Sequence, residues 1–430
     1  MVTAGPDGHA GEAAGSRQRE RSPARQHSLR RHNLALVLQH IAASEPLSRA
    51  RIAAATGLTK ATVSSLVDDL VGAGLVAELG PEARGQIGRP GSALTLNRGG
   101  LVGLGLEVNV DYIAVCVSDL AGGVRHLRTR VGDNRGQTPG RVLGRAARMA
   151  RAAMGAARAE GRTVAGLAVA LPGVVEAERG LLRIAPNLDW VDVPAAEFVA
   201  ARLGPGAPEV MVDNEANLAA LGELWFGGHQ GLSDFVHVSG EIGVGAGIVV
   251  GRELFRGVMG FAGEVGHVTV QADGPPCRCG SRGCLEQVAG QEAIMRAAGL
   301  SGEAGTSVGQ PGGSVAELLA RARAGEARTL QAIEAAGRAL GIAVAAVVNL
   351  VDTTTVVLGG LYTPLQPWLR APFAEELQAR VIGRRWSRVR VLTSRLGPDA
   401  AVRGAAGAVV REILSNPAAV RAGEGTVLST

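Results

Sequence analysis

The chain has 430 residues, which is too long for one ordinary domain, and 46% of them are apolar, which is sufficient for more than one buried core. No apolar run approaches the roughly 20 residues that a membrane span needs, and the N-terminal segment lacks the apolar stretch of a secretory signal. We therefore expect a cytoplasmic protein without a membrane partner, built from two or three domains.

The positive charge is concentrated near the N-terminus. The formal net charge is +5, and residues 1–100 hold twelve basic and eight acidic side chains, which leaves an excess of only +1 for the rest of the chain. A basic excess confined to one end is typical of a module that binds a polyanion.

The N-terminal region has the pattern of a helix-turn-helix. Apolar residues at helical spacing from Arg31 onward predict a first helix. Ser48 and Thr59 are positioned to cap two further helices, over residues 49–56 and 60–73, which are separated by a Gly-containing turn. The last of these three helices is the one that such domains place in the major groove of DNA.

Two short strands follow the third helix, at residues 75–80 and 93–97, and a flexible basic turn between them would form a wing. We therefore predict a winged helix-turn-helix whose partner is double-stranded operator DNA. The alternative is a small helical interaction domain that binds no DNA. The candidate DNA-contacting residues lie in the second and third helices and in the wing: Arg49, Thr59, Lys60, Ala61, Thr62, Ser64, Ser65, Arg84 and Arg89.

From residue 101 onward, strands rich in Val and Ile alternate with Ala-rich helices. This alternation predicts an α/β domain, arranged as two lobes around a cleft. Within it, we expect a loop over residues 184–190, and we expect Cys116, which lies among apolar residues, to be a core thiol. The predicted domain boundaries are a disordered tail at 1–27, the winged domain at 28–98, the α/β domain at 99–415 and a C-terminal tail at 416–430.

A Gly-rich segment at residues 261–286 holds three of the four cysteines. One His and three Cys with the spacing H-x9-C-x-C-x4-C suit a tetrahedral Zn²⁺ ion, and four protein ligands make the ion structural. The alternatives are a disulfide with a spare thiol, which a reducing cytosol disfavours, or cysteines without a metal. The predicted zinc ligands are His267, Cys277, Cys279 and Cys284.

The same segment resembles the signature of the ROK family, which contains repressors and sugar kinases. The matching motifs are A-G-E-V-G-H at 262–267 and C-x-C-G-x-x-G-C-L-E at 277–286, and the wording of residues 48–64 is similar to the N-terminal domain of ROK-type repressors. The resemblance implies an actin-like, ribonuclease-H-like fold for the α/β domain. It also implies that Glu264, His267 and Glu286 bind sugar hydroxyls, with His267 ligating zinc as well.

Two further segments, at 171–173 and 185–188, resemble family loops that border the sugar, and Asn214 and Glu215 would add polar contacts. The structural alternative is that these are only turns and loop caps. The full set of predicted sugar-binding residues is Gly173, Asn187, Asn214, Glu215, Glu264, His267 and Glu286.

The features that ROK kinases use for phosphoryl transfer are altered. Residues 107–111, E-V-N-V-D, stand where the kinases have an acidic-x-Gly-Gly-Thr turn. Glu215 stands where the kinases have a catalytic aspartate, and Glu241 precedes the second Gly-rich loop, where its charge would repel phosphate. We therefore expect no catalytic residues, with Glu215 as a degenerate base, and kinase activity that is absent or residual.

These observations predict a sugar-responsive repressor that acts as a homodimer or higher oligomer, with residues 97–100 as the hinge between its domains. One alternative is an active ROK-type sugar kinase with an appended DNA-binding domain. Another is a DNA-binding protein in which the degenerate kinase domain serves only for dimerisation.

Overall fold

The computed structural model describes residues 26–80, 92–229, 231–300 and 315–420. The N-terminal tail as far as residue 25, the wing residues Arg84 and Arg89, and residues 421–430 lie outside the described part of the chain, so the expectations for them remain predictions.

The N-terminal unit is a winged helix-turn-helix, with the two predicted caps in place. The Ser48 side chain accepts a hydrogen bond from the Arg51 backbone N–H, and the Thr59 side chain accepts one from Thr62. A short third strand at the start of the second helix was not predicted. The elements are α1 (Gln26–Ser44), β1 (Leu47–Ser48), α2 (Arg49–Thr56), α3 (Lys60–Gly72), β2 (Val76–Leu79) and β3 (Ala93–Leu96), and the antiparallel sheet has the order β1-β3-β2.

Helix α1 begins at Gln26, so the last two residues assigned to the disordered tail are helical. Its predicted apolar face is buried, since Val37, Leu38 and Ile41 are fully enclosed against the core of α2 and α3. Burial of one apolar stripe on each helix holds the three helices together.

The first lobe of the α/β domain is a mixed five-stranded sheet of order β11-β7-β4-β5-β6, against which helices pack. A small antiparallel sheet, β10-β9-β8, lies beside it. The predicted loop at 184–190 was therefore partly wrong, because it contains the ends of β9 and β10. The elements are β4 (Leu101–Val108), β5 (Tyr112–Asp119), β6 (Val124–Val131), α4 (Pro139–Ala159), β7 (Thr163–Leu171), β8 (Val174–Glu176), β9 (Leu181–Ala185), β10 (Trp190–Val193), α5 (Ala195–Leu203) and β11 (Val210–Asn214).

The second lobe has a five-stranded sheet of order β14-β13-β12-β15-β16. Helix α10 packs along α11 on this lobe. The elements are α6 (Glu215–Phe226), β12 (Phe235–Gly240), β13 (Val244–Val250), β14 (Glu253–Leu254), α7 (Glu286–Ala289), α8 (Gln291–Ala297), α9 (Val315–Arg323), α10 (Ala327–Val351), β15 (Thr355–Gly360), α11 (Tyr362–Arg380), β16 (Arg390–Thr393) and α12 (Ala400–Ser415).

Helices α6 and α12 lie together between the two sheets, with α12 on β4, β5 and β7 and α6 on β12 and β13. Their backbones touch. A Cβ atom added to Gly404 would lie 1.8 Å from the carbonyl oxygen of Leu218, and one added to Gly222 would lie 2.5 Å from that of Ala400. The two lobes therefore meet through a closely packed helix pair.

Helix α10 is an exception to the expectation that no apolar run approaches the length of a membrane span. Its 25 residues are long and apolar enough to cross a membrane by length and composition alone. However, 61% of its most apolar window is buried within the protein, and its inner face belongs to the core of the second lobe. This is the position of a core helix.

The winged domain shares a hydrophobic core with the end of the chain. Residues Pro417–Ala419 form a short 3-10 helix that packs on α1, and the Arg31 Nη2 donates to the Asn416 Oδ1 at 3.2 Å. Residues 416–420 were assigned to a tail, but they are packed against the winged domain. Ile413, Leu414 and Val420 are buried in the same cluster as the apolar face of α1.

The predicted hinge residues are anchored on the winged domain. The Asn97 side chain donates to the carbonyl oxygen of Gly74 at 2.8 Å and accepts from the N–H of Gly99 at 3.0 Å. Arg98 forms an ion pair with Glu45. The connection between the domains is therefore short and held by hydrogen bonds at its N-terminal end.

Candidate functional site

The one His and three Cys predicted as metal ligands come together at one point. Their ligand atoms all lie within 4.8 Å of one another. Cys279 Sγ and Cys284 Sγ are 3.8 Å apart, as are Cys277 Sγ and His267 Nδ1. A tetrahedral zinc site with Zn–S bonds of about 2.3 Å has S···S separations near 3.8 Å, so the geometry fits this ion.

The loop that carries the cysteines is fixed by backbone hydrogen bonds. Cys277 N donates to Ser281 O at 2.8 Å, and Val270 N donates to Gly283 O at 2.9 Å. Gly283 has φ +66°, and a Cβ atom there would lie 1.6 Å from the Gln271 carbonyl oxygen. Only glycine can occupy this position, which brings Cys284 back towards His267.

His267 faces two environments. Its Nδ1 lies on the cysteine side, while its Nε2 is 3.9 Å from Glu264 Oε2. One ring nitrogen can therefore ligate a metal, while the other stays available to a molecule in the adjoining cleft. The sequence predicted this dual placement from the resemblance, but not which nitrogen serves each side.

A cleft between the lobes lies next to this cluster and encloses about 780 Å³, including its open mouth. All seven predicted sugar-binding residues line it, although sugar binding itself remains a prediction. Sequence reasoning did not assign Asn109, Asn217 and Phe261 to the site, and all three also line the cleft. Asn217 lies three residues after Asn214, which the sequence analysis did assign to the site.

Asn214 connects several parts of the cleft. Its Oδ1 caps α6 by accepting from Ala216 N at 2.8 Å and Asn217 N at 3.0 Å. Its Nδ2 donates to Gly173 O at 2.9 Å and to Glu215 Oε2 at 2.7 Å. Asn214 therefore fixes the Gly173 turn and the Glu215 carboxyl group relative to the start of α6.

The carboxyl groups of the cleft are shielded from water and repel one another. Burial raises the pKa of Glu215 well above its usual value, and Glu264, Glu107 and Glu241 add to this effect. Burial also raises the pKa of Glu264, which the neighbouring His267 opposes. These groups retain protons to a higher pH than free carboxyl groups, so they can donate as well as accept hydrogen bonds.

Two carboxyl groups occupy the glycine loop at the start of β13. A Cβ atom on Gly243 would lie 2.0 Å from Glu286 Oε2, and one on Gly245 would lie 3.3 Å from Glu215 Oε1. The Val244 backbone N–H points to Glu286 Oε2 at 3.4 Å. At Gly243, the space that a side chain would fill is taken by a glutamate oxygen, whereas at Gly245 the nearest atom is the Ala216 Cβ, 2.8 Å away.

Comparison with known proteins identifies the family, since residues 103–412 match the ROK family and residues 35–85 match the MarR family. The chain belongs to the ROK family. A putative xylose repressor of Caldicellulosiruptor sp. (strain Rt8B.4) is 34% identical over 403 residues, which cover 90% of this chain and 97% of that protein.

Two solved structures are similar to this chain. A ROK family transcriptional regulator, a homolog of the E. coli MLC protein, is 25% identical with a TM-score of 0.74. The match covers 90% of this chain and 97% of the regulator's chain. A ROK family glucokinase from Streptomyces griseus, in complex with glucose and AMPPNP, is 28% identical with a TM-score of 0.61. The match covers 71% of this chain and 98% of the glucokinase chain. The predicted architecture, an actin-like ROK domain behind a winged helix-turn-helix, is confirmed.

The turn between β4 and β5 is filled by its own side chains. Tyr112 Oη donates to Glu107 Oε1 at 2.5 Å, and Asn109 Nδ2 donates to Tyr112 Oη at 3.2 Å. Val110 is buried in the turn itself. Burial raises the pKa of Glu107 to about 7, and burial together with Glu107 and Asp111 raises that of Glu241 to about 8.

Most of the candidate DNA-contacting residues within the described part of the chain are accessible. Lys60, Ala61 and Ser65 are exposed on α3, and Thr59 is exposed at its cap. Thr62 and Ser64 are half-buried on the same helix. Their role in DNA binding stays a prediction.

Arg49 has a structural role that the sequence did not indicate. Its Nη2 lies 2.8 Å from Asp68 Oδ1 and 2.7 Å from Glu78 Oε1. The guanidinium group thus connects α2 to α3 and to β2. The sequence analysis assigned this guanidinium group to DNA contact. That contact also remains a prediction.

Ion pairs also bridge the two lobes. Arg256, after β14, pairs with Asp213 at the end of β11, and Arg135, after β6, pairs with Glu292 of α8 at 2.5 Å. Sequence reasoning missed both, because nothing in the spacing of these residues indicates that the lobes bring them together.

Proposed function

We propose that this ROK protein is a cytoplasmic, sugar-responsive transcriptional repressor that binds operator DNA as a homodimer. The observation that carries the proposal is the union of a winged helix-turn-helix with a ROK domain along one chain. The related putative xylose repressor aligns with 90% of the chain, across both parts, whereas the Streptomyces griseus glucokinase covers 71%. The active kinase with an appended domain is therefore the less favoured alternative.

The winged domain supplies the operator contacts. Short polar side chains at the start of α3 can approach base edges in the major groove, and Lys60 can reach phosphate or guanine. Arg84 and Arg89 of the wing would enter the adjacent minor groove, where narrow A·T tracts attract arginine. A dimer would engage two half-sites about one helical turn apart, or a multiple of that distance.

The ROK domain supplies the sugar site. Glu264, His267 and Glu286 would bind sugar hydroxyls from one wall of the cleft, while Gly173, Asn187, Asn214 and Glu215 would do so from the opposite wall. The clustering of these side chains in one cleft supports this assignment. A zinc ion held by His267 and the three cysteines would fix the orientation of the imidazole and of the loop that leads to Glu286.

We propose that the protein does not catalyse phosphoryl transfer. A bulky, hydrogen-bonded turn occupies the place of the first phosphate loop. In the second loop, the Val244 N–H faces a carboxylate oxygen. Glu215 extends one methylene further than the aspartate of the kinases, and a misplacement of about 1 Å can lower a rate by roughly 100-fold.

The coupling between the two sites would run through packed helices. Asn214 lines the cleft and caps α6, α6 touches α12 backbone to backbone, and the end of α12 packs on α1 of the winged domain. A sugar that binds one arrangement of the lobes better would shift this stack and reorient the winged domain across residues 97–100.

The test is a DNA-release measurement. Duplexes that bind the full-length protein would be selected from a random pool, and a panel of monosaccharides would be titrated against the complex by fluorescence anisotropy. We expect one sugar to lower DNA affinity by roughly 5- to 150-fold, the usual range of coupling energies. Asn187→Ala should remove the response and leave the affinity for DNA without sugar unchanged, because Asn187 lies in the cleft and not in the winged domain.

Several outcomes would contradict the proposal. Failure to select any duplex from the pool would indicate that the winged domain does not bind DNA. If a sugar bound the protein without changing its DNA affinity, the protein would bind sugar but its DNA binding would not be regulated by it. Turnover of a hexose with ATP at about 10 s⁻¹ or faster would support the kinase alternative.

A further inference from the structure

Arginines are concentrated on one side of the first lobe. Residues 124–159, which comprise β6, the loop after it and α4, hold nine arginines and one acidic side chain, Asp133, a formal net charge of +8. The whole of residues 101–430 carries only +1, so the ROK domain combines a near-neutral net charge with one strongly basic surface. We call this surface the arginine face. Its members, all exposed or half-buried, are Arg128, Arg130, Arg141, Arg145, Arg148 and Arg151.

The arginines of α4 share one side of the helix. Arg141, Arg145 and Arg148 follow one another at spacings of four and three residues, which places their side chains next to each other on a helix. The side that carries Val142 and Leu143 is buried in the core of the first lobe. The arginines therefore lie on the side of α4 that faces solvent.

Other helices of the protein pair their arginines with carboxylates one turn away. Arg321 of α9, Arg338 of α10 and Arg380 of α11 each form an ion pair with a glutamate four residues earlier. Helix α4 contains no acidic residue, and like charges at these spacings destabilise a helix. Among the residues that the structure describes, no carboxylate forms an ion pair with a member of the arginine face. This face lacks the anions that balance arginines elsewhere in the molecule.

Strand β6 and helix α4 present their arginines to the same region. The Arg145 guanidinium group donates to Asn134 Oδ1, in the loop that joins the two elements. Partial burial lowers the pKa of Arg145, and the charges of three neighbouring arginines lower it further. These neighbours are Arg141 and Arg148 of α4 and Arg130 of β6. The side chains thus form one cluster across the edge of the sheet.

The arginine face begins beside the winged domain. Arg125, at the start of β6, donates to Asp119 Oδ2 at 2.8 Å, and Asp119 also interacts electrostatically with Arg98 of the winged domain. Thr163, four residues after the end of α4, donates its N–H to Gly100 O at 3.1 Å, next to the connection between the domains. A helix of the length of α4 spans about 30 Å, which is close to one helical turn of DNA. The face therefore extends from the winged domain over roughly one turn of a duplex.

The composition of the face favours a duplex phosphate backbone over other polyanions. Membrane-surface helices bury an apolar side in the lipid, whereas the apolar side of α4 is already buried within the lobe. Single-stranded nucleic acids stack on aromatic side chains, and residues 124–159 include no Phe, Tyr or Trp. Arginine side chains bind phosphate oxygens through pairs of N–H groups, without any requirement for base sequence.

We propose that the arginine face binds the phosphate backbone of the duplex DNA that flanks the operator. The inference rests on the proposed function, because the winged domain would bring the duplex to this face. Each phosphate that an arginine neutralises releases a counterion, so these contacts would raise the affinity and make it more dependent on salt. They would be independent of the base sequence of the flank.

The experiment compares two duplexes on the full-length protein by fluorescence anisotropy. The short duplex contains only the sequence that the selected duplexes share, and the long one carries about 15 further base pairs, or roughly 50 Å, at each end. We expect the long duplex to bind at least about 10-fold more tightly at ~0.1 M salt, to the same extent with two unrelated flank sequences. Equal affinity for the two lengths would overturn the inference and leave the proposed function intact. Absence of binding to either duplex would instead contradict the proposed function.

A triple variant tests the cause of the length preference. Arg128→Gln/Arg141→Gln/Arg148→Gln removes three exposed charges from the arginine face. It should bind both lengths equally, and the slope of log affinity against log salt for the long duplex should fall by about 3. Its affinity for the short duplex should equal that of wild type, which also shows that the variant is folded. A length preference that survives in this variant would overturn the inference.

Two controls separate the arginine face from a general effect of charge and from a membrane partner. Arg370→Gln/Arg385→Gln/Arg388→Gln removes three exposed charges from the second lobe and should keep the preference for the long duplex. Loss of the preference in this variant would also contradict the inference. Vesicles of phosphatidylserine and phosphatidylcholine should not cosediment with the protein. Cosedimentation that depends on the arginine face, together with equal affinity for both duplexes, would assign the face to a membrane instead.

Discussion

Arg256 holds Asp213 at two points across the boundary between the lobes, with Nη1 3.1 Å from Oδ1 and Nη2 2.6 Å from Oδ2. Asp213 Oδ1 also accepts from the Asn214 backbone N–H at 2.8 Å. The guanidinium group therefore fixes the residue next to the cap of α6. The Arg256 backbone carbonyl oxygen accepts from the Ala262 N–H at 3.0 Å, which connects this pair to the loop that carries residues 260–264 along the cleft wall.

Removing this ion pair should weaken sugar binding. Arg256→Gln leaves Asp213 largely buried without its cation and releases the cleft loop. The Arg256 side chain is 41% exposed, so solvent screening limits the cost to about 1 kcal/mol, or roughly a 5-fold loss of sugar affinity by calorimetry. Arg338→Gln removes an exposed ion pair on α10 and serves as the control. Equal sugar affinity of Arg256→Gln and wild type would show that the pair does not organise the cleft.

The candidate metal centre should hold one zinc ion per chain. Cys279→Ser should lose the metal and weaken sugar binding at the same time, because the loop that orients His267 and Glu286 loses its ligand. Elemental analysis and calorimetry on the same preparation measure both effects. Cys116→Ala removes the buried thiol of β5 and should retain the metal. A wild-type sample prepared without chelators and free of zinc would contradict the assignment.

Glu107 should make stability depend on pH. Its pKa is raised from 4.5 to about 7 by burial, so the folded protein keeps a proton that the unfolded chain loses above pH 4.5. The stability that this bound proton contributes is fully present below pH 4.5 and is lost as the pH rises to about 7. Wild type should therefore lose roughly 3 kcal/mol more than Glu107→Gln between pH 4.5 and pH 8, as measured by urea unfolding. Parallel pH profiles of the two proteins would exclude Glu107 as the source.

Lys60 should contribute to DNA affinity through its charge. Lys60→Ala should weaken binding to selected and unselected duplexes alike if it contacts phosphate, and it should reduce the slope of log affinity against log salt by about 1. Lys60→Arg keeps the charge and should retain most of the affinity. Loss of affinity for the selected duplex alone would show instead that Lys60 reads a base.

The sequence predicted the winged domain well because its signals are local. Ser48 and Thr59 cap their helices through hydrogen bonds to residues three positions away, and such contacts can be recognised from spacing alone. The metal ligands were predicted for a similar reason, since three of the four lie within eight residues.

Other elements escaped prediction for physical reasons. Strand β6 is mostly exposed and carries five polar residues among eight, so it lacks the alternation that indicates a half-buried strand. Helix α11 contains Pro367 and Pro372, which normally argue against a helix. The Arg256–Asp213 and Arg135–Glu292 pairs join residues far apart in sequence, and only the folded arrangement of the lobes brings them together.

The burial of Ile413, Leu414 and Val420 against α1 has a consequence for protein engineering. A chimeric biosensor made by exchanging residues 26–98 for the DNA reader of another regulator would leave this apolar patch of the ROK domain without its complement. Exposed patches of this kind promote aggregation. A functional graft would have to transplant α1 together with the last turns of α12 and residues 416–420, so the unit of exchange is discontinuous in the chain.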